Sequence, residues 1–430
     1  MKNRKAFLGM AGVFTVIALV LISGAPAAAQ TETVIFSFGS SPNDSYGSFP
    51  TSSVTFDSAG NLYSTTPGGG SYVEANGTVF ELTPSSDGNW TPKVVADFGA
   101  SLGHPNGGVI FDGVGNLYGV TTPGGTYNGG VAYELMPQAG GGWTQKLLHQ
   151  FGQGTDGNVP VGNLVFDSAG NLYGVTVQGG TYGQGTVFEL MPQAGGLWAE
   201  KVLHSFTNAG ADGGEPQAGV ILDSAGNLYG TTLYGGINRN RAGYAGVVFE
   251  LSPGSGAAWT ENILYSFIQS KFDGAGPAAS LIFDTAGNLY GTTTSGGEYR
   301  GNGTVFELSP GAGRVWTEKI LHSFNDNGTD GFQPYGNLIM DSTGSLYGTT
   351  DGGGRYSAGF VGGTVFKVTP GSGGTWTESI VHNFGDGDDG SYPLAGLVMD
   401  ASGNLYSTTR LGGTGCSGGC GPGTVFEISQ

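Results

Sequence analysis

The stretch TETVIFSF, residues 31–38, has the pattern of a strand that ends a repeat, although it precedes every complete repeat of the chain. Later stretches with the same pattern begin with Trp-Thr-Glu at 259–261, 316–318 and 376–378, and each ends on a phenylalanine. Alignment on Phe38 places the Thr-Glu of the first stretch on the Thr-Glu of the later ones. The first stretch is therefore predicted to be a strand that is separated in sequence from the repeat it completes.

Seven repeats follow this stretch, and each one reads as four short strands. The strands are rich in Val, Phe, Tyr, Leu and Thr, and Gly, Pro, Asp and Ser lie between them. The block FDSAGNLYGTT marks the turn between the first two strands, with its aspartate at Asp57, Asp112, Asp167, Asp223, Asp284, Asp341 and Asp400. The block GTVFEL, the third strand, occurs seven times, whereas a Trp-led fourth strand occurs six times, at Trp90, Trp143, Trp198, Trp259, Trp316 and Trp376.

Repeated four-stranded units of this length are typical of a β-propeller, and a β-solenoid is the alternative. The strand count favours the propeller, because residues 31–38 would supply the missing fourth strand by pairing with 423–428. A ring needs this strand to remove its exposed edges, and an open solenoid does not. The sequence predicts an all-β, seven-bladed propeller of four-stranded antiparallel blades, closed by the N-terminal strand.

Charges support the same pairing of third and fourth strands. Glutamates in the third strand face lysines in the fourth strand in four repeats, which are Glu81 with Lys93, Glu134 with Lys146, Glu189 with Lys201 and Glu307 with Lys319. Cross-strand pairs of this kind contribute only a few tenths of a kcal/mol each. They give the glutamates a structural explanation, so we do not count them as catalytic candidates.

Residues 1–29 are predicted to be a signal peptide, with 30–430 forming a single propeller domain. A basic start is followed by an apolar run and a small-residue cleavage pattern that ends at Ala29. A membrane anchor is the alternative, but the apolar run is short for a spanning helix. We therefore expect a secreted protein, extracellular or periplasmic, without membrane insertion.

The acidic composition bears on possible partners. The formal net charge is −18, and loss of the leader with its three cations would lower it to −21. Such a charge disfavours nucleic acid as a partner. The only two cysteines, Cys416 and Cys420, lie in GCSGGC, and in an exported protein they are predicted to form a local disulfide.

The repeat DSAGNLYGTT…GTVFEL…WTEKILHSF resembles the GloVer-type tandem repeat of choice-of-anchor secreted bacterial proteins, over residues 31–430. Its GNLY element is more loosely similar to NHL-like β-propeller repeats. The resemblance implies a secreted or surface-exposed protein whose family has no established molecular function or catalytic residues. No functional residue can therefore be transferred from the family to this chain.

The histidines of the fourth strands are expected to be structural. His149, His204, His322 and His382 share one position, which Ala96, Tyr265 and Phe36 occupy in other repeats. A position that accepts alanine or phenylalanine does not indicate a metal ligand, and four blades cannot bring these histidines to one ion. We expect no cofactor and no metal, with a Ca²⁺ site in the DGDDG loop (386–390) as the alternative.

The two faces of a propeller can be told apart by their connections. The turn face carries the connections between first and second strands and between third and fourth strands, which are short and alike. The loop face carries the connections from second to third strands and from each blade to the next, which vary in length. Ligand-binding groups usually lie on variable loops over a rigid scaffold, so we expect the binding site on the loop face.

Arginines and tyrosines in the second-to-third-strand loops are the predicted ligand-binding residues. Guanidinium groups there would bind an acidic polysaccharide, and tyrosines would stack on its sugars. The alternative is that the arginines pair with Glu298 or Asp351 and that the tyrosines pack on the blade edges. The predicted set is Arg239, Arg241, Arg300, Arg355, Arg410, Tyr299 and Tyr356.

The function that the sequence favours is non-catalytic binding of a polysaccharide or a cell-envelope partner. The alternatives are an extracellular carbohydrate-active enzyme, a lyase or a hydrolase, and a structural envelope protein. An enzyme of this kind needs carboxylates that converge at the ring centre. The segments that lead into the first strands contain no acid, and Glu215 is the nearest one.

Overall fold

The computed structural model describes residues 30–39, 45–71, 76–237, 245–255, 258–299, 301–356, 362–413 and 421–430. Within these ranges the chain forms seven four-stranded antiparallel blades, and the predicted seven-bladed β-propeller is confirmed. No helix in these ranges has the length and apolar character needed to span a bilayer.

Each blade has its first strand nearest the axis, two residues long except in blade 3, and a long fourth strand at the outside that begins with Trp in blades 1 to 6. The strands of blades 1 to 3 are Thr55–Phe56, Leu62–Thr66, Thr78–Pro84 and Trp90–Asp97; Ile110–Phe111, Leu117–Thr122, Val131–Pro137 and Trp143–Gln150; Gly157–Phe166, Leu172–Gly179, Thr186–Pro192 and Trp198–Ser205. Those of blades 4 and 5 are Ile221–Leu222, Leu228–Thr232, Val247–Pro253 and Trp259–Ser266; Ile282–Phe283, Leu289–Thr293, Thr304–Pro310 and Trp316–Ser323. Those of blades 6 and 7 are Ile339–Met340, Leu346–Thr350, Thr364–Pro370 and Trp376–Asn383; Val398–Met399, Leu405–Thr409, Thr424–Ser429 and the N-terminal Thr31–Ser37.

Short ladders extend the blades toward the loop face, and single turns of 3₁₀ helix connect some third and fourth strands. The ladders pair Gly213–Gly214 with Tyr234–Gly235, Gly274–Ala275 with Ser295–Gly296, Gly331–Phe332 with Gly352–Gly353, and Gly390–Ser391 with Leu411–Gly412; in blade 2, His104–Pro105 pairs with the second strand. The 3₁₀ turns are Ala194–Gly196, Ala312–Arg314 and Ser372–Gly374.

The N-terminal strand completes blade 7 in the predicted register. Thr31 pairs with Ser429 and Glu32 with Ile428, just as Thr317 pairs with Ser309 and Glu318 with Leu308 in blade 5. The amide of Phe38 donates to the carbonyl of Gly423 at 3.1 Å, which continues the ladder beyond the strand. The strand that begins the described chain therefore closes the ring.

Aromatic rings join each blade to the next around the whole ring. The phenylalanine after each fourth strand packs on the aromatic residue of the next blade's third strand, and the seven ring centroid distances are 4.9–5.3 Å. At the closure this pair is Phe38 with Phe80, and both rings are buried. Offset and edge-on aromatic pairs contribute about 0.5–1.5 kcal/mol beyond their buried area. The closing contact is thus of the same kind as the other six.

Threonines near the axis make a second set of contacts between blades. Thr65 donates to the carbonyl of Gly107 at 2.9 Å, and Thr349 donates to that of Ala395 at 2.9 Å. Thr408 of blade 7 donates to the carbonyl of Ser52 in blade 1 at 3.1 Å, which closes this set as well. The hydroxyls satisfy backbone carbonyls that no strand partner reaches.

Two of the four predicted Glu–Lys pairs form ion pairs in the described structure. Nζ of Lys93 lies 3.2 Å from Glu81, and Nζ of Lys146 lies 3.1 Å from Glu134. Lys319 lies opposite Glu307 in register but donates to the carbonyl of Gly374 in the next blade at 2.7 Å. The lysine side chain is long enough to reach either acceptor, so the strand register alone does not determine which acceptor it contacts.

Candidate functional site

A pocket of about 340 Å³ opens at the axis of the propeller, and all seven blades contribute to its wall. The wall is formed by the segments that lead into the first strands, so the pocket belongs to the loop face. Its polar side chains include Asn106, Asn163, Gln217, Ser280, Tyr335 and Asn337. None of the residues lining this pocket is a carboxylate, lysine, arginine or histidine. The pocket therefore offers neutral hydrogen-bonding groups.

Two asparagines of this wall are held across blade boundaries. Oδ1 of Asn163 accepts the amide of Gly108 at 2.8 Å, and Oδ1 of Asn337 accepts the amide of Ser280 at 2.8 Å. Each bond fixes the plane of the carboxamide and gives its oxygen a partner inside the protein. Side chains fixed in this way are oriented before any ligand arrives.

One residue per blade, directly before a proline, forms a second feature of the loop face, which we call the collar. Five of its members have a positive φ of 53° to 61° without being glycine, namely Phe49, Val159, Glu215, Gln333 and Tyr392. Gly276 has φ 64°, and His104 completes the collar. Positive φ is uncommon for such residues, and backbone strain of this kind is concentrated at functional sites.

The backbone of the collar is held alike in six blades. The amide of each collar residue except His104 donates to a carbonyl in the preceding blade's second-to-third-strand loop, at 2.6–2.9 Å. In blade 2 the ring nitrogen Nδ1 of His104 lies 2.6 Å from the carbonyl of Pro67 in blade 1. A backbone that is held alike in six blades thus presents a different residue in each blade around the axis. Val159 lines the central pocket, and Phe49 is 39% exposed.

Blades 6 and 7 bring a charged pair next to the pocket. Burial raises the pKa of Asp351, and the positive charge of Arg410 opposes that rise. The pKa of Tyr335 and of Tyr392 is raised by burial and then by the charge of Asp351. Tyr335 lines the central pocket, and Arg410 is exposed, so the group extends from the pocket to the surface. The predicted alternative, an ion pair between an arginine and Asp351, stays a prediction.

The other predicted residues within the described ranges lie on the loop face. Tyr299 is 46% exposed and lines a groove of about 380 Å³ with Glu298. Tyr356 is half-buried, and Arg355 is exposed with its backbone amide bonded to Asn383 at 2.9 Å. The exposure of Tyr299 leaves its ring available for stacking.

Several predicted residues lie outside the described residues. These are Arg239, Arg241, Arg300, the two cysteines Cys416 and Cys420, and the leader at 1–29. The arginine arc, the disulfide and the signal peptide therefore stay predictions.

The fourth-strand histidines have partners that the sequence reasoning missed. Each of His149, His204, His322 and His382 lies beside an aspartate from the loop that follows it and a glutamate from the next blade. These clusters are the groups within the described residues that have the composition of a metal site. The signal that would have found them is the joint variation of the three positions between repeats.

The collar was missed for a related reason. Its positions differ in side chain from blade to blade, so a search for repeated residues passes over them. The proline after each one repeats in all seven blades and would have marked the positions. The positive φ is not visible in the sequence, because proline alone does not impose it on the preceding residue.

Solved structures similar to this chain have low identity and low TM-scores. A structure described as a gluconolactonase matches with TM-score 0.38 and 13% identity, covering 94% of this chain and 93% of that chain. A protein of unknown function from Dyadobacter fermentans matches with TM-score 0.44 and 12% identity, covering 94% and 100%. The NanB sialidase from Streptococcus pneumoniae matches with TM-score 0.42 and 14% identity, covering 92% and 70%. These values do not support an argument about activity.

Comparison with curated proteins gives no match. The family profile of the Gloeobacter/Verrucomicrobia repeat matches residues 22–244 and 167–426, which together span most of the chain. The match includes all seven blades and agrees with the resemblance carried by the DSAGNLYGTT and GTVFEL blocks. The chain belongs to the Gloeobacter/Verrucomicrobia repeat family.

Proposed function

We propose that the protein is a non-catalytic carbohydrate-binding protein whose ligand occupies the central pocket and the collar on the loop face. The observation that carries this proposal is the neutral hydrogen-bonding wall of the pocket, with asparagines held in place across blade boundaries. Sugar hydroxyls both donate and accept hydrogen bonds, so amide and hydroxyl side chains suit them. Pockets with a few fixed polar groups are the usual form of small-ligand sites.

Tyrosines extend this surface beyond the pocket. Tyr335 is 39% exposed at the pocket wall, and the loop tyrosines Tyr127, Tyr182 and Tyr299 are 46%, 60% and 46% exposed. Half-exposed rings with a supported base can stack on the apolar face of a sugar. A polysaccharide that crosses the face would thus contact the pocket with one sugar and the tyrosines with others.

Arg355 and Arg410 support a more specific proposal, namely that the protein prefers acidic polysaccharides. Both are exposed, and they belong to neighbouring blades. On a chain with a net charge of −18, cations on the binding face would offset repulsion of a uronate. Export of the protein to the cell envelope or beyond, where such polymers occur, is part of the same proposal.

A glycan array on the purified protein, followed by titration with polygalacturonate and with dextran, tests this function. We expect one of these polymers to bind, and Tyr335→Ala to weaken its binding at least tenfold. The double variant Arg355→Ala/Arg410→Ala is expected to weaken polygalacturonate and to leave dextran unchanged. The matched control is Lys93→Ala/Lys319→Ala, which removes the same charge from strands at the outside of the blades.

The outcomes separate the proposed function from its alternatives. Absence of any glycan binding contradicts the proposal and favours a structural role in the envelope. Cleavage of a bound glycan in an activity screen contradicts the non-catalytic form and favours a lyase or hydrolase. Equal loss of polygalacturonate binding in the arginine variant and in the lysine control contradicts the acidic preference alone.

A further inference from the structure

Four of the seven boundaries between blades hold a histidine, an aspartate and a glutamate together. Nε2 of the histidine lies 2.9–3.4 Å from the aspartate carboxylate in all four. One ligand atom from each of the three residues lies within 4.8 Å of the other two. The clusters are His149–Asp156–Glu200, His204–Asp212–Glu261, His322–Asp330–Glu378 and His382–Asp389–Glu32.

The glutamate of every cluster has an oxygen without a hydrogen-bond partner. Oε1 of Glu32, Glu200, Glu261 and Glu378 is shielded from solvent and makes no hydrogen bond. A buried polar atom left without a partner costs about 1–3 kcal/mol, and such atoms are rare in folded proteins. Oε1 of Glu318, at the boundary where Tyr265 replaces the histidine, is unpaired as well, and Oε1 of Glu261 lies 3.5 Å from Nε2 of His204. The unpaired oxygen therefore recurs at all five boundaries that have a glutamate, and it indicates a missing partner at that position.

The aspartate of the cluster is held in a defined orientation. In three clusters its Oδ1 accepts the amide of the glycine that follows it, with distances of 2.6, 2.7 and 2.6 Å for Asp156, Asp330 and Asp389. Its Oδ2 is then the atom that faces the histidine. Carboxylates that bind metals are oriented by outer hydrogen bonds in the same way.

The histidine and glutamate positions vary together at most of the boundaries between blades. Where the histidine is replaced by Ala96, the glutamate position of the next blade holds Gln145; where it is replaced by Phe36, that position holds Pro92. Where Tyr265 stands in the place of histidine, Asp273 and Glu318 are still present. The histidine and the glutamate are therefore present or absent together at six of the seven boundaries, and the boundary with Tyr265 is the exception.

We propose that each of the four clusters binds one divalent transition-metal ion of the Zn²⁺ type, through one imidazole nitrogen and two carboxylate oxygens. Imidazole and carboxylate together suit first-row dications, whereas Ca²⁺ and Mg²⁺ favour oxygen ligands alone. Two carboxylates balance the charge of one dication, and water completes a four-coordinate shell. Each ion would link the fourth strand of one blade to that of the next.

The surroundings of the clusters agree with this assignment. The cluster of His322 and Asp330 borders the groove of about 380 Å³ beside Tyr299, which gives an ion a path from solvent. The net charge of −18 raises the local concentration of cations.

The test is to count bound metal on the purified protein, by native mass spectrometry and elemental analysis, after chelation and reloading with Zn²⁺. We expect four ions per chain. His382→Ala should lower the count to three, and this change is compatible with the fold because Ala96 occupies the same position in blade 1. Tyr265→His should raise the count to five, because Asp273 and Glu318 both lie close enough to Tyr265 to act on its pKa.

A matched control adds a histidine where the glutamate is lacking. Phe36→His has Pro92 at the glutamate position of the next blade and should leave the count at four. No retained Zn²⁺, an unchanged count in both His382→Ala and Tyr265→His, or a fifth ion in Phe36→His would each overturn the proposal. Equal retention of Ca²⁺ or Mg²⁺ in place of Zn²⁺ would overturn the assignment of the ion class.

Discussion

The turn face and the loop face of this propeller use repetition in opposite ways. At the turn face, each turn aspartate makes the same bonds in every blade: Oδ1 accepts two backbone amides at 2.8–3.0 Å, and Oδ2 accepts a tyrosine hydroxyl. At the loop face, the collar repeats its backbone bond in six blades but presents a different residue in each blade.

This difference teaches how one repeat serves both stability and recognition. A turn that makes the same hydrogen bonds in seven blades stabilises each blade in the same way. It presents no group that differs between blades and could select a ligand. A collar with a fixed backbone and varied side chains places unlike groups at known positions around one axis. We therefore expect changes at the turn face to alter stability and changes at the loop face to alter binding.

The largest effect is expected from removing the N-terminal strand, because both faces depend on the closed ring. Deletion of residues 30–38 exposes the edge of Thr424–Ser429 and removes the Phe38–Phe80 contact. Because an unpaired edge strand promotes aggregation, the deleted protein should aggregate or lose most of its stability, and binding should be lost with it. Thermal unfolding and size-exclusion chromatography measure this. A deleted protein that melts at the temperature of the parent contradicts closure.

A smaller loss should follow from breaking one turn. Asp284→Ala removes the acceptor for the amides of Ala286 and Asn288 and for the hydroxyl of Tyr290. We expect a loss of about 1–3 kcal/mol in the free energy of unfolding, because the buried Tyr290 and the turn amides lose their acceptor. Chemical denaturation gives this value. Glycan binding should stay within about twofold of the parent. A tenfold loss of binding would contradict the assignment of stability to the turn face and of binding to the loop face.

The carboxylates also divide by the direction of their pKa shifts. For Asp284, burial acts to raise the pKa, but hydrogen bonds from Asn288, Ala286 and Tyr290 lower it overall. For Glu318, between blades 4 and 5, burial and then the charge of Asp273 raise the pKa from 4.5 to about 8. A carboxyl with a lowered pKa, such as that of Asp284, stabilises the folded state at pH values above the pKa it has in the unfolded chain. A carboxyl with a raised pKa, such as that of Glu318, destabilises the folded state as the pH rises.

Glu318→Gln tests the second direction. Between about pH 5 and about pH 8 the folded state holds a proton on Glu318 that the unfolded state has lost, so the stability of the parent falls as the pH rises. The variant lacks this dependence and should gain stability relative to the parent across that window. Denaturation in metal-free buffer at about pH 5 and about pH 9 measures the difference. An equal difference at both pH values contradicts the shift.

The smallest change in stability is expected at the collar. Gln333→Ala leaves the backbone bond to Asn302 in place and truncates a partly exposed side chain. Substitutions of this kind usually change the free energy of unfolding by no more than about 0.5 kcal/mol. Glycan affinity should nevertheless fall, which is the reverse of the result expected for Asp284→Ala. Unchanged affinity in Gln333→Ala and in the matching Tyr392→Ala would remove the collar from the site.

Much of the fold could be predicted because the same sequence blocks recur along the chain and can be counted and aligned. The counts of first, second, third and fourth strands indicate a ring, and the sequence alignment of Thr31 and Glu32 predicts the closing pair that the structure contains. The turn aspartate and its hairpin could also be predicted, because Asp and Gly have known roles in tight turns. These features depend on contacts within one repeat or between equivalent strands.

The candidate site was harder to predict because it depends on contacts between repeats. His382 and Glu32 are at opposite ends of the chain, and only ring closure brings them together. The position of Arg410 beside Asp351 likewise follows from neighbouring blades. The collar depends on a backbone conformation that side-chain patterns do not encode. A sequence search for catalytic motifs cannot recover geometry of this kind.

Hydrogen exchange of the purified protein with and without bound polysaccharide, polygalacturonate or dextran as the titration selects, tests the central claim most directly. The account predicts slower exchange in the collar segments 331–336 and 390–396, together with 45–52. It predicts no change in the turns at 284–288 and 341–345. Protection of those turns, with the collar segments unchanged, would contradict the assignment of binding to the loop face.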